Sequence, residues 1–187
     1  MKRLSGKVAG AVLALAVTVT GAQAQTALTV GTGVGGSLPV GNLADVAGIG
    51  WNAQANLGLH NPMWPVGLRF DVMYHSLGLD DEFGDGDVQI IAGVANAELY
   101  VARSPNGGGL FVVGGAGIYN QEFGLDGENQ EGDSTTDLGL LVGGGYKLAM
   151  TNLMLSLEAK FHNVFTEVES TQIIPFDVVV EIPLGAR

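Results

Sequence analysis

Apolar and polar residues alternate one by one over residues 66–76. Val66, Leu68, Phe70, Val72 and Tyr74 fall on one face, and Gly67, Arg69, Asp71, Met73 and His75 on the other. A period of two is the mark of a β-strand with two unlike faces. Residues 51–60 repeat it, with Trp51, Ala53, Ala55, Leu57 and Leu59 set against Asn52, Gln54, Asn56, Gly58 and His60. Residues 153–162 set Leu153, Leu155, Leu157, Ala159 and Phe161 against Met154, Ser156, Glu158, Lys160 and His162. Near the end, Phe176, Val178, Val180, Ile182 and Leu184 oppose Asp177, Val179, Glu181, Pro183 and Gly185.

Four further segments are less regular. Residues 28–34 alternate with Thr29, Gly31 and Gly33. Residues 137–148 carry Leu138, Leu140, Val142, Tyr146 and Leu148 on one face, and mainly glycine, with Leu141 and Lys147, on the other. Residues 110–120 are apolar on both faces and give no phase. In residues 88–101, Val88, Ile90 and Ala92 agree in phase, then Ala97, Leu99 and Val101 take over, which predicts a β-bulge near residues 93–95. The pattern as a whole predicts eight strands.

The connectors alternate in length. Residues 61–65, 104–108 and 150–152 are short turns; residues 39–49, 80–87, 123–136 and 165–172 are longer and mostly polar. Four long loops at one end and three short turns at the other fit an up-and-down antiparallel barrel with both termini on the short-turn side. Before the first strand, residues 1–24 read as a signal peptide. Lys2, Arg3 and Lys7 form its charged start, residues 8–19 its short apolar core, and Ala22-Gln23-Ala24 a small-x-small cleavage site. That apolar run is shorter than the roughly 20 residues of a spanning helix. The expected organisation is therefore a leader over 1–24 and a single barrel over 25–187, exported by the Sec pathway.

Alternation alone does not say which face is wet. A soluble barrel keeps its apolar face inside, and a membrane barrel inverts this. Three features favour inversion. The polar faces hold a few ionisable residues among Gly, Asn, Gln and Ser, sparse for a solvated surface. After the leader, lysine occurs only at Lys147 and Lys160, whereas soluble β-proteins charge their exteriors and edges. Aromatic residues gather near strand ends: Trp51, Tyr74, Tyr119, Phe123, Phe165 and Phe176 towards the loops, and Trp64, Tyr100, Phe111 and Tyr146 towards the turns. Two interfacial girdles would have this distribution.

Composition narrows the picture further. The 30 glycines follow no triplet period, and an apolar content of 47% argues against a disordered chain. With no cysteine, disulfides and thiolate metal sites are excluded. Net charge is −11; without the three basic residues of the leader, five basic residues face 19 acidic ones. Such a chain repels nucleic acid, and no nucleic-acid partner is expected.

The chain resembles the small outer-membrane β-barrel family, the class with OmpA-like and OmpX-like transmembrane domains. The resemblance is carried by Val66-Gly67-Leu68-Arg69-Phe70-Asp71-Val72, by Val113-Gly114-Gly115-Ala116-Gly117-Ile118-Tyr119, by Glu158-Ala159-Lys160-Phe161-His162, and by the closing strand from Ile174-Pro175 to Ile182-Pro183-Leu184-Gly185. It implies an all-β, eight-stranded transmembrane barrel in the outer membrane of a Gram-negative cell. Its implied partners are outer-membrane lipids and, during biogenesis, periplasmic chaperones and the barrel-assembly machinery, with the barrel a monomer. One departure stands out. Members of the class usually end in an aromatic residue read by that machinery, whereas this chain ends Gly185-Ala186-Arg187.

Candidate chemistry is thin. His60, His75 and His162 are the only histidines. His75 and His162 both fall on polar faces near the loop end, where a metal pair is conceivable; filling of hydrogen-bonded positions is the plainer reading, and no metal or cofactor is assigned. The acidic clusters Asp80, Asp81, Glu82, Asp85, Asp87 and Asp126, Glu128, Glu131, Asp133 lack EF-hand spacing and read as solvated loops. Adjacent His75 and Ser76 point to opposite faces and cannot form a dyad, so no catalytic residue is assigned and no enzyme is expected. Gly31, Gly33, Gly139, Gly143 and Gly145 fall on the inward phase. Small residues beside large ones suit the narrow interior of a filled eight-stranded barrel.

The strongest expectation about the interior is a salt-bridge network of Arg69, Asp71, Glu98, Glu158, Lys160, Asp177 and Glu181. Hairpin symmetry puts Arg69 opposite Glu98 and Lys160 opposite Asp177 if the two loops are central. The functional expectation is a structural or surface-interaction outer-membrane barrel. The alternatives are a narrow channel or small hydrophobic-ligand transporter, as in OmpW-like proteins, and a soluble periplasmic lipocalin-like carrier.

Overall fold

A computed structural model describes residues 27–60, 64–79, 86–104, 108–125, 134–166 and 169–184. The expected leader over 1–24, the expected barrel boundary at residue 25, the acidic clusters apart from Asp87, and the chain end at 185–187 lie outside the described residues.

The strands are β1 (Ala27–Val40), β2 (Gly50–His60), β3 (Val66–Gly78), β4 (Gly86–Arg103), β5 (Gly109–Leu125), β6 (Ser134–Ala149), β7 (Met154–Phe165) and β8 (Thr171–Leu184). Each pairs with its neighbour in sequence, and β1 pairs antiparallel with β8 to close the barrel. Among the described strands, closure leaves no unpaired sheet edge, the condition for carrying a β-structure through hydrocarbon.

Several strands run further towards the loop end than alternation alone marks. β5 and β6 remain paired out to Glu122 and Ser134. There Asn120 donates from Nδ2 to the Thr135 carbonyl and the Thr136 hydroxyl. Polar residues with strand propensity on both faces continue the ladder without an apolar face to mark it. Between β1 and β2, Gly41 takes φ +61° and opens a 3-10 turn, Gly41–Asp45. This turn lowers Leu43 into the barrel mouth, and Ala47 bridges to Leu79.

The alternation is inverted relative to a soluble barrel. Val34, Leu138, Val142 and Leu157 are more than half exposed on the outer wall, whereas Arg69, Lys147 and Lys160 are at most 2% exposed inside. In water, each such apolar side chain would forgo roughly 1.5–3 kcal/mol of burial free energy. This disposes of the lipocalin-like alternative, which requires an apolar lumen and a polar wall. Trp51, Phe123, Phe165 and Phe176 stand outward at the loop end, as do Trp64 and Tyr146 at the turn end. Trp51 packs on Tyr74 with ring centroids 5.3 Å apart. The expected girdles lose three members, because Tyr119 and Phe111 are fully buried in the lumen and half-buried Tyr100 packs on Phe111.

The bulge expected at residues 93–95 is absent. β4 pairs without interruption there with both β3 and β5. Val88, Ile90, Ala92, Val94, Asn96 and Glu98 are all buried on one inward face. What changes along β4 is the chemistry of the lumen, apolar near the loops and polar further down, and this mimics a change of phase in the sequence. The register irregularity lies between Tyr100 and Ala102, opposite Phe111 and Leu110, and the next pair holds Gly109, whose φ of +147° favours glycine.

Candidate functional site: a filled lumen in layers

The inward side chains form an ionic middle layer beneath an apolar plug. Arg69 on β3 is the hub of the ionic layer. Its Nη1 and Nη2 donate to the two carboxylate oxygens of Glu158, each at 2.9 Å, a bidentate fork across the lumen. Its Nε lies 2.9 Å from Asp71, and its Nη1 lies 3.5 Å from Glu98. Lys160 on β7 reaches Asp177 at 3.0 Å, Glu158 at 3.2 Å and the side-chain oxygen of Gln54 at 2.7 Å. Lys147 on β6 lies 2.9 Å from both Glu98 and Glu181, and 5.1 Å from the centroid of the Phe111 ring. Asn96 donates to Asp71, and Ser156 to Glu158.

All seven residues expected inside therefore meet in one cluster, but the pairing geometry differs from that expected. Arg69 stands opposite Asn96, and Glu98 opposite Gly67. Asp177 stands opposite Glu158 instead of Lys160. In both hairpins the ladder is centred one residue earlier than the loop composition indicates. Partners are displaced by two positions and remain on the same face. Long side chains bridge that diagonal offset. Lys147 was missing from the expected network, although its inward phase was readable. As one of two lysines beyond residue 24, and on a glycine-lined face, it required an acidic partner.

Towards the loops the lumen turns apolar. Met73, Leu77, Val88, Ile90, Ala92, Tyr119, Leu141, Val164 and Ile173 pack with Leu43 and Ala47 into one cluster. Glycine makes room for the large members. A Cβ at Gly139 would lie 2.6 Å from the Tyr119 ring, and one at Gly145 would lie 2.9 Å from that of Phe111. The bulky rings thus lie over wall positions that carry no side chain.

His75 and His162 are embedded where this plug meets the ionic layer. His75 Nδ1 is 2.8 Å from the Ser37 hydroxyl, which also accepts from Asn52. His162 Nδ1 is 3.0 Å from the Tyr119 hydroxyl. Ser76 pairs with Asp87 on the outward phase, away from His75. His60 sits apart at the turn end of β2. Among the described residues, no group of three or more His, Cys, Asp or Glu could hold a metal. No described helix is long and apolar enough to cross a membrane, which says nothing of the strands.

No protein-family model and no curated protein matches the chain. Solved structures do. The chain is similar to Neisserial surface protein A, at 13% identity and a TM-score of 0.56, over 84% of this chain and 97% of that one. It is similar to a major outer membrane protein of Thermus thermophilus, at 12% identity and a TM-score of 0.58, over 86% and 100%. It is also similar to Ail, the attachment invasion locus protein of Yersinia pestis, at 12% identity and a TM-score of 0.50, over 87% and 100%. Likeness at such low identity is one of architecture. Joined to the inverted faces and the closed strand order, it establishes that this chain has the fold of the small eight-stranded outer-membrane β-barrels.

Proposed function

We propose that the protein is a monomeric barrel of the outer membrane that acts through its surface, as a structural or interaction element, without catalysis and without a conducting path. The observation that carries this reading is the filled lumen inside an apolar wall. Arg69, Lys147 and Lys160 tie five carboxylates across the middle. Above them, Leu43 and Ala47 close the mouth over Leu77, Val88 and Ile173. A wall that seeks hydrocarbon and a lumen without a through-path leave the loops as the parts able to meet another molecule. Sec export, passage by periplasmic chaperones and insertion by the barrel-assembly machinery complete the proposed route.

Membrane fractionation, heat-modifiable gel mobility and planar-bilayer recording test the reading together. The expected result is a band in the outer-membrane fraction that shifts on boiling, with no large steady conductance. Release into the soluble fraction would remove the membrane reading. A steady open conductance would replace it with the narrow-channel alternative.

A further inference from the structure

Three features converge at the level where the plug meets the ionic layer. His75 on β3 and His162 on β7 face each other across the lumen with ring centroids 5.8 Å apart and planes at 73°. The Nδ1 atom of each ring is held by a hydroxyl, Ser37 for one and Tyr119 for the other. The Nε2 atom of each is buried without a partner among the described residues. Whichever tautomer each ring adopts, a ring nitrogen is left as a lone buried donor or acceptor, a group that calls for a partner. Gln121 is a further buried polar residue on the inner wall. It faces inward on β5 and shares a ladder row with Ile90 and His75. It is 1% exposed, and neither atom of its amide has a partner among the described residues.

We infer that His75 and His162 bind one late first-row transition-metal ion, of the zinc or copper class, through their Nε2 atoms. Imidazole is a ligand suited to these ions. A histidine that holds a metal through one ring nitrogen commonly donates from the other to an oxygen, which fixes the ring. The Ser37 and Tyr119 hydroxyls are placed for that role. The ring separation also fits. With a metal–nitrogen distance of about 2.0–2.1 Å, two imidazole centroids on one ion lie roughly 5.2 Å apart at a tetrahedral angle and roughly 6.4 Å apart when collinear. The observed 5.8 Å falls between these limits.

The ionic layer as a whole carries more acids than bases. The ionic layer sets Arg69, Lys147 and Lys160 against Asp71, Glu98, Glu158, Asp177 and Glu181. Asp137, opposite Tyr119 in the register, adds a buried carboxylate oxygen without a partner among the described residues. Positive Lys160, two residues from His162, acts in the opposite direction, but it is held by Asp177, Glu158 and Gln54.

The test uses untagged protein in detergent, incubated with Cu²⁺ and freed of excess by gel filtration. One copper per chain is expected, with an electron paramagnetic resonance spectrum showing nitrogen couplings from two imidazoles. His60→Ala should retain both. His75→Gln and His162→Gln, checked for folding by heat-modifiable mobility, should each lower affinity at least tenfold and lose one imidazole coupling. If either variant fails to fold, the wild-type and His60→Ala spectra decide: coupling to two imidazoles in both supports the site. Absence of retained copper, coupling to fewer than two imidazoles, or undiminished binding in folded histidine variants would overturn it.

Discussion

Arg69 satisfies three carboxylates with one planar group, and its loss leaves Asp71, Glu98 and Glu158 buried without their shared cation. Removing one partner of a buried pair costs about 3–5 kcal/mol. Arg69→Met should reach or exceed that range in equilibrium unfolding and should cost more than Lys160→Met. After Lys160→Met, Glu158 keeps its fork to Arg69 and Asp177 is the group left stranded. Asp177→Asn added to Lys160→Met should recover part of the loss, with a coupling of about 0.5–3 kcal/mol. Strictly additive losses would mean that the pair contributes nothing. Lys147→Met should also destabilise the barrel, because it strands Glu181 and leaves Glu98 only its 3.5 Å contact with Arg69. The same urea titration reads that loss, and an unchanged midpoint would remove Lys147 from the network. Membership of the network was legible in the sequence for seven residues because inward phase and charge coincide there. Exact pairing was not, since a two-residue shift of register leaves every side chain on its own face.

At the scale of the strand, glycine on the inner wall sets where large lumen side chains can lie. Gly139 receives the ring of Tyr119, which is fully buried and bonded to His162 and so has little room to retreat. Gly139→Ala should cost about 1–3 kcal/mol through overpacking. Gly78→Ala, where an added Cβ meets nothing within 4 Å, should stay within about 0.5 kcal/mol of wild type. Equal effects in thermal or urea unfolding would contradict the packing account. Period-two alternation in β2, β3, β7 and β8 divided their residues between two faces, and the scarcity of lysine and of ionisable residues said which face was wet. β4 was misread for a physical reason: Val88, Ile90 and Ala92 belong to the apolar plug, and an apolar stretch inside looks like an apolar stretch outside. Tyr119 and Phe111 misled in the same way, because an aromatic residue near a strand end suits a girdle or a plug equally well.

For the whole molecule, everything follows from the inversion of its two faces. An apolar wall with a paired, ionic lumen is stable in a bilayer, and closure of β1 on β8 satisfies the backbone along the span. In water the same wall would present a continuous apolar surface of the kind that drives association. The most direct test is cysteine accessibility along the outer wall in intact membranes, since the natural chain has no cysteine to interfere. Leu157→Cys, at a position 56% exposed on the outer face of β7, should react with a membrane-confined maleimide and resist a charged aqueous one. Leu68→Cys and Val178→Cys should behave alike. Aqueous labelling at these positions, as fast as at a loop cysteine, would contradict the account.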